Sequence, residues 1–309
     1  MLMQKFSLAI HGGAGTILPE ETTPEKEAAY NFALKESLKA GYDLLSIGAT
    51  ALDAVEEAVR YLEDCPLFNA GRGSVFTANE KNEMDASIMW GKDLSAGAVA
   101  GITNIQNPIS LARKVFEQTP HVFLGSEGAM QFAKSLGIEL KPASYFFSQE
   151  RFDQLQNLIG TDEVSLDHGS SKPIGTVGAV ARDNEGNVAA ATSTGGMTNK
   201  KFGRIGDTPM IGAGVYANNN TCAVSSTGHG EYFIRAVVAY DISCLMEYGG
   251  MNLEEACRKV VNDKLVKFGG EGGVIAVDSG GTLCLPFNSV GMYRGWVTEA
   301  SDFQTRIFK

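Results

Sequence analysis

The chain has 309 residues, 44% of them hydrophobic and 20% charged, a composition that supports a sizeable core in one domain or two. Its formal charge of −10, with no basic run, makes nucleic acid and acidic membrane surfaces poor partners. Cys65, Cys222, Cys244, Cys257 and Cys284 form no Cys-x-x-Cys pair, so neither a disulfide framework nor a zinc knuckle is expected.

Residues 6–10 read as a first buried strand, followed by the glycine-rich turn His11-Gly12-Gly13-Ala14-Gly15. The apolar run is too short for a secretory leader, and no segment has the length of a membrane span, so a cytoplasmic protein is expected. Neither of the glycine motifs that cradle nucleotide phosphates occurs. Pro24 opens a helix whose Tyr30, Leu34, Leu38, Tyr42 and Leu45 share one face. Thr50 and Asp53 make a capping pair for a second helix over 51–62, with Val55, Val59 and Leu62 inward. Residues 62–73 lose that periodicity and read as a loop, with Asn69 held between Phe68 and Ala70. Beyond it the pattern predicts a hairpin of 75–78 and 84–90, a strand at 96–102, a helix at 107–117, a strand at 121–124 and a helix at 126–136.

From 141 to 173 polar residues dominate, with a helix expected only at 152–158; a linker or a movable segment would both suit this stretch. A hairpin of 177–181 and 188–191 follows, turning at 183–186, and Gly175-Thr176 stands immediately before it. Glycine leaves its own carbonyl open to approach, so the Thr176 hydroxyl could attack the Gly175 carbonyl and cut the chain there. The new amino terminus would then carry a hydroxyl nucleophile beside an amine whose pKa, roughly 7.7 to 8.0, suits a base near neutrality. A Gly-Thr that merely begins a strand is the alternative reading. Strands at 209–216 and 222–225, helices at 231–248 and 252–268, strands at 273–277 and 282–286, and a tail containing Met292, Tyr293 and Trp296 complete the chain. This order suggests stacked sheets with helices outside, four layers in all.

Thr227 and Gly228 end a strand where a helix begins, a place where free N–H groups can stabilise an oxyanion. Arg204 could hold a carboxylate on two prongs while Asp207 accepts from an ammonium, together reading an amino-acid head group; a surface Arg-Asp pair in a Gly/Pro turn is the alternative.

The motifs His11-Gly12-Gly13-Ala14-Gly15, Phe68-Asn69-Ala70-Gly71, Gly175-Thr176-Val177-Gly178-Ala179-Val180, Thr192-Ser193-Thr194-Gly195-Gly196-Met197-Thr198-Asn199-Lys200, Gly203-Arg204-Ile205-Gly206-Asp207 and Thr227-Gly228-His229-Gly230-Glu231 occur in this order. With them the chain resembles the isoaspartyl peptidase and plant-type L-asparaginase family of N-terminal nucleophile hydrolases over essentially its whole length. The resemblance implies an α+β fold, a single αββα hydrolase domain over 1–309 that cleaves itself into an α subunit, 1–175, and a β subunit, 176–309. Two αβ units would associate as an (αβ)2 heterotetramer. It implies Thr176 as nucleophile, Thr194 as the threonine that orients it, and Thr227 with Gly228 as the oxyanion hole. Arg204 and Asp207, with Gly230 beside them, match the substrate clamp, and Asn69 matches an asparagine that supports cleavage between Gly175 and Thr176. The carbonyls of Leu62, Glu63, Cys65, Phe68, Ala70 and Arg72 resemble a loop that holds a structural sodium ion, oxygen ligands suited to a hard cation. No cofactor is expected for catalysis, and the implied substrates are L-asparagine and β-aspartyl dipeptides. His229 stands where relatives often carry a small polar residue, which leaves the preference between them open. A glycosylasparaginase shares the Gly-Thr nucleophile and the Arg-x-x-Asp clamp but is typically secreted or lysosomal. A protease of the same superfamily that cuts after aspartate fits less well. An uncut amino-acid-binding protein would keep the clamp without a free Thr176 amine.

Overall fold

A computed structural model describes residues 6–160 and 175–309. Its strands are β1 (Ser7–Gly15), β2 (Met84–Trp90), β3 (Ala96–Ile102), β4 (Phe123–Gly125), β5 (Val177–Arg182), β6 (Val188–Thr194), β7 (Val215–Ala217), β8 (Cys222–Gly228), β9 (Gly272–Asp278), β10 (Leu283–Cys284), β11 (Gly291–Thr298) and β12 (Gln304–Arg306). The helices are α1 (Pro24–Ser46), α2 (Ala51–Asp64), α3 (Pro108–Gln118), α4 (Ser126–Ser135), α5 (Ala143–Phe146), α6 (Gln149–Gln156), α7 (Gly230–Ala236), α8 (Val238–Glu247), α9 (Leu253–Arg258) and α10 (Leu265–Lys267). A π-helical stretch, Lys259–Lys264, joins the last two. No described helix is long and apolar enough to cross a membrane.

The strands form one sheet in the order β12-β11-β1-β5-β6-β2-β3-β4 and a second in the order β10-β9-β8-β7. Three apolar clusters hold these parts together. Leu34, Leu38, Val55, Val59, Leu62 and Ile109 from α1, α2 and α3 pack with Leu8, Ile10, Val99 and Val177 of the larger sheet. Val180, Ala190 and Met89 of that sheet meet Val215, Ala223, Ile275 and Val277 of the smaller one. Val224, Val274 and Ala276 pack on Phe233, Ile242, Val260 and Leu265. Local signals agree with this packing: Thr23 caps α1 by accepting from Lys26 N, and Thr50 and Asp53 form the reciprocal capping box of α2.

Several expectations need correction. The glycine-rich stretch at 11–15 is not a turn but the second half of β1, whose register against β11 shifts between His11 and Gly13. The tail around Met292, Tyr293 and Trp296 is β11, paired between β1 and β12 one strand in from the edge of the larger sheet, with Met292 and Tyr293 buried. Residues 75–78 form no strand. Their backbone is instead tied by Val75 N to Asn69 Oδ1 at 3.0 Å and by Ala78 N to Lys200 O at 3.0 Å. The strand expected at 209–216 is confined to β7, and that at 282–286 to β10. The helix expected at 231–248 breaks into α7 and α8 at Val237, which sits at φ 51°. The 141–160 stretch contains α5 and α6; 161–174 lies outside the described residues.

Candidate active site

The two sheets meet where β8 crosses β5 and β6, and the site forms at one edge of that crossing. Thr176 directly precedes β5. Since Val177 pairs with Ser193, one further step along both strands sets Thr176 level with Thr194. The Thr194 hydroxyl accepts from Gly196 N at 3.0 Å.

Beneath Thr176 lies a fully buried imidazole. His11 Nδ1 is 2.9 Å from Thr176 O, and Nε2 is 2.9 Å from Ser225 Oγ. Burial pushes the His11 pKa down to about 3, so the ring is neutral at ordinary pH. A carbonyl only accepts, so the single ring proton sits on Nδ1 and the Ser225 hydroxyl must donate to Nε2. Thr192 Oγ1 lies 2.7 Å from Ser225 Oγ and 3.1 Å from Gly214 O; with the Ser225 proton directed to Nε2, the one Thr192 proton goes to the nearer Ser225 Oγ or is shared with Gly214 O. A Cβ at Gly178 would lie 2.0 Å from Ser225 Oγ and 2.4 Å from His11 Nε2, so only glycine admits this contact.

Gly175 presses against β1 and β8. A Cβ placed on it would lie 2.8 Å from Gly13 Cα and 3.0 Å from Thr227 Oγ1. Gly13 has φ +115° and no room for a side chain, since its own Cβ would come within 2.5 Å of Gly175 N. The Thr227 hydroxyl is fully buried and has no hydrogen-bond partner among the described residues. A buried hydroxyl is costly to leave unpaired. Gly228 ends β8 two residues before α7 begins.

Asp207 carries a second unpaired atom, near Gly230 at the start of α7. Asp207 is buried, its Oδ2 has no partner among the described residues, and desolvation raises its pKa to about 7 against the opposing pull of Arg204. Arg204 makes a two-pronged ion pair, Nε to Glu231 Oε1 and Nη2 to Glu231 Oε2, each at 2.9 Å. Its partner is therefore Glu231 and not Asp207, so the simple surface Arg-Asp pair does not form. Gly230 sits between the two groups: a Cβ there would lie 2.9 Å from both Arg204 Nη2 and Asp207 Oδ1. His229 caps α7, with Nε2 3.4 Å from Glu231 Oε2.

Asn69 is buried and donates through Nδ2 to Gly196 O at 2.7 Å while Oδ1 accepts from Val75 N. It thus ties the loop after α2 to the chain just beyond Thr194. In that loop a Cβ at Gly73 would meet Phe68 O at 2.0 Å and Pro66 O at 2.8 Å, and one at Gly71 would meet Glu63 O at 2.4 Å. Glu63 O therefore packs close to Gly71, and Pro66 O and Phe68 O close to Gly73, while Phe68 O also accepts from Ala70 N at 2.9 Å. Among the described residues no cluster of three or more His, Cys, Asp or Glu side chains competes for a metal.

Sequence reasoning did not assign the His11 side chain, Ser225, Glu231 or Asp85. Asp85 is fully buried on β2 opposite Thr194, its Oδ1 accepting from Gly101 N at 2.8 Å and its Oδ2 without a partner among the described residues. Burial raises its pKa, with Lys200 and Arg204 opposing. An acid inside the apolar run Met84–Trp90 was the available signal. Ser225 carried none, because its role depends on the other sheet.

A family model described as Asparaginase (Asparaginase_2) matches residues 3–307. The isoaspartyl peptidase of Salmonella typhimurium is 52% identical over 312 residues, covering 99% of this chain and 100% of the relative. The isoaspartyl peptidase of Escherichia coli is 52% identical over 312 residues, covering 99% and 97%. The isoaspartyl peptidase/L-asparaginase of Xenopus laevis is 47% identical over 296 residues, covering 96% and 92%.

Proposed function

The chain belongs to the asparaginase family Asparaginase_2, and from that premise we propose that it is a threonine hydrolase acting on β-aspartyl amide bonds. It hydrolyses the side-chain amide of L-asparagine and the β-peptide bond of isoaspartyl dipeptides, in keeping with the names of its relatives, isoaspartyl peptidase and isoaspartyl peptidase/L-asparaginase. One observation carries the assignment of the site: the buried, unpaired Thr227 hydroxyl lies against Gly175, immediately before Thr176.

In this reading the chain matures by cutting itself between Gly175 and Thr176. The Thr176 hydroxyl attacks the Gly175 carbonyl as its proton passes to the departing nitrogen. The C–N bond breaks, so an ester to Thr176 Oγ1 replaces the peptide bond and the Thr176 amine is freed; water then hydrolyses the ester to give the Gly175 carboxylate and the free Thr176 hydroxyl. The mature amine then takes the Thr176 hydroxyl proton as the oxygen attacks the β-carbonyl of the substrate. Thr227 and the Gly228 N–H stabilise the oxyanion. The intermediate collapses, the protonated amine hands its proton to the leaving nitrogen, and ammonia or an amino acid departs. Water, deprotonated by the same amine, cleaves the β-aspartyl ester and restores Thr176. The neutral His11 donates to the Thr176 carbonyl and keeps that residue from turning. Thr194 orients the nucleophile, and Asn69 braces the strand end that carries it.

Arg204 receives the substrate α-carboxylate and Asp207, once ionised, its ammonium, with Gly230 leaving room between them. Glu231 holds Arg204 extended until substrate arrives. The carbonyls of Leu62, Glu63, Cys65, Phe68, Ala70 and Arg72 would hold a sodium ion, a structural ion that fixes the loop carrying Asn69; carbonyl oxygens are donors of the kind a hard cation takes. The three apolar clusters are, in this reading, the interfaces of an αββα sandwich. A single domain, a cytoplasmic location and an (αβ)2 assembly belong to the same proposal. Replacing Arg204 with alanine tests the clamp: KM for L-asparagine and for β-aspartyl dipeptides should both rise about tenfold to a hundredfold, the worth of a charge-assisted pair. Unchanged kinetics on both substrates would remove Arg204 from the site.

A further inference from the structure

The end of α7 opposite the clamp opens on a second cavity that the hydrolytic site does not use. Its volume is about 470 Å³, and its walls come from α7, from the π-helical stretch Lys259–Lys264 and from the end of α10. Four cationic side chains face it, Arg235, Lys259, Lys264 and Lys267, against one acid, Asp263. That surplus stands out in a chain of formal charge −10.

Ordinary structural roles account for only part of it. Lys264 donates to Ala236 O at 3.1 Å and pairs with Asp241 Oδ2 at 2.9 Å, a fitting place for a cation at the carbonyl end of α7. Arg235 lies with its guanidinium carbon 4.3 Å from the Phe268 ring centroid and 5.9 Å from that of Tyr232. This cation–π contact restrains the guanidinium, whose N–H groups have no hydrogen-bond partner among the described residues. Among the described residues no carboxylate pairs with Arg235, Lys259 or Lys267. Arg235, Lys259 and Lys267 share the cavity with the single acid Asp263, so its wall keeps a net positive charge that attracts an anion. The π-helical stretch supplies Lys259, Asp263 and Lys264 to the wall, and such turns are rare and concentrated at functional sites.

We propose that this cavity binds a small phosphorylated molecule, with phosphoryl oxygens among Arg235, Lys259 and Lys267 and the organic part against Phe268. A restrained guanidinium beside mobile ammonium groups suits a multiply charged tetrahedral anion better than a single carboxylate. The site is separate from the hydrolytic centre, so its occupancy can be measured without reference to turnover.

The test is calorimetric titration of pyrophosphate into the intact protein at matched ionic strength. The same titration is run on Arg235→Gln and on the double variant Lys259→Ala/Lys267→Ala, with malonate as the dicarboxylate control. All three side chains are exposed, so the variants should keep the wild-type circular dichroism spectrum. The expected result is one saturable site in the wild type, weakened about tenfold or more in each variant. Malonate should bind about tenfold more weakly than pyrophosphate. Absence of saturable binding, or equal affinity in the variants, would overturn the site. Malonate binding as tight as pyrophosphate would overturn its assignment to a phosphoryl group.

Discussion

Thr227 and Asp207 each carry a buried polar atom with no partner among the described residues, and the proposed function gives each a role. If the Thr227 hydroxyl stabilises the oxyanion, Thr227→Ala should lower kcat for L-asparagine about a hundredfold to a thousandfold with little change in KM. Unchanged turnover in the mature variant would take Thr227 out of the hole. Asp207 predicts a pH dependence. Its pKa rises from 3.8 to about 7, so near neutrality part of the population carries a proton that a substrate ammonium would have to displace. KM for L-asparagine should therefore climb as pH falls below about 7, and initial rates between pH 5.5 and 8 would reveal it. The stability effect has the opposite sense. Between pH 3.8 and about 7 the folded chain holds a proton that the unfolded chain has lost, so Asp207 makes folding less favourable as pH rises through that window. Asp207→Asn should then unfold at higher urea than the wild type at pH 8, yet bind asparagine poorly. A variant less stable at pH 8 would mean that the buried carboxylate is stabilised by a partner instead. The acid was legible in the sequence as a clamp residue, but its burial was not, because burial comes from elements far along the chain.

The break between α7 and α8 is the element whose conformation departs most from its sequence pattern. Apolar periodicity continues across Val237, yet that residue takes φ 51°, a left-handed conformation that costs a β-branched side chain about 1 to 2 kcal/mol. Val237 is 44% exposed, so little burial is lost by trimming it. Val237→Gly should accordingly stabilise the fold by up to about 1 kcal/mol, read as a higher urea midpoint at constant slope. A lower midpoint would show that the side chain contributes more than its strain costs. Helices with caps, such as α1 and α2, were legible because cap and stripe agree. The hairpin β5–β6 was legible because its turn residues and apolar runs agree. Residues 75–78 misled because Val75 and Phe76 are buried by loop packing and not by strand pairing. Strand β11 was missed because its glycines and arginine interrupt the apolar run that would mark a strand.

At the scale of the molecule, the site exists because β8 of one sheet lies across β5 and β6 of the other. That crossing brings Ser225 and Thr227 to His11, Gly175 and Gly178, residues spread over most of the chain. The motifs singled out Thr176, Arg204, Asp207 and Thr227 individually as expected site residues, roles that the proposed function keeps. The His11–Ser225–Thr192 chain of bonds and the Arg204–Glu231 pair could be read only after the sheets were stacked. Self-cleavage before Thr176 is the claim on which every catalytic role depends, and intact mass of freshly purified protein tests it most directly, with Thr176→Ala beside it. The account predicts two fragments in the wild type, meeting between Gly175 and Thr176, and one uncut chain in the variant. A wild-type chain that stays whole after long incubation would contradict it and favour an uncut amino-acid-binding protein that keeps the clamp.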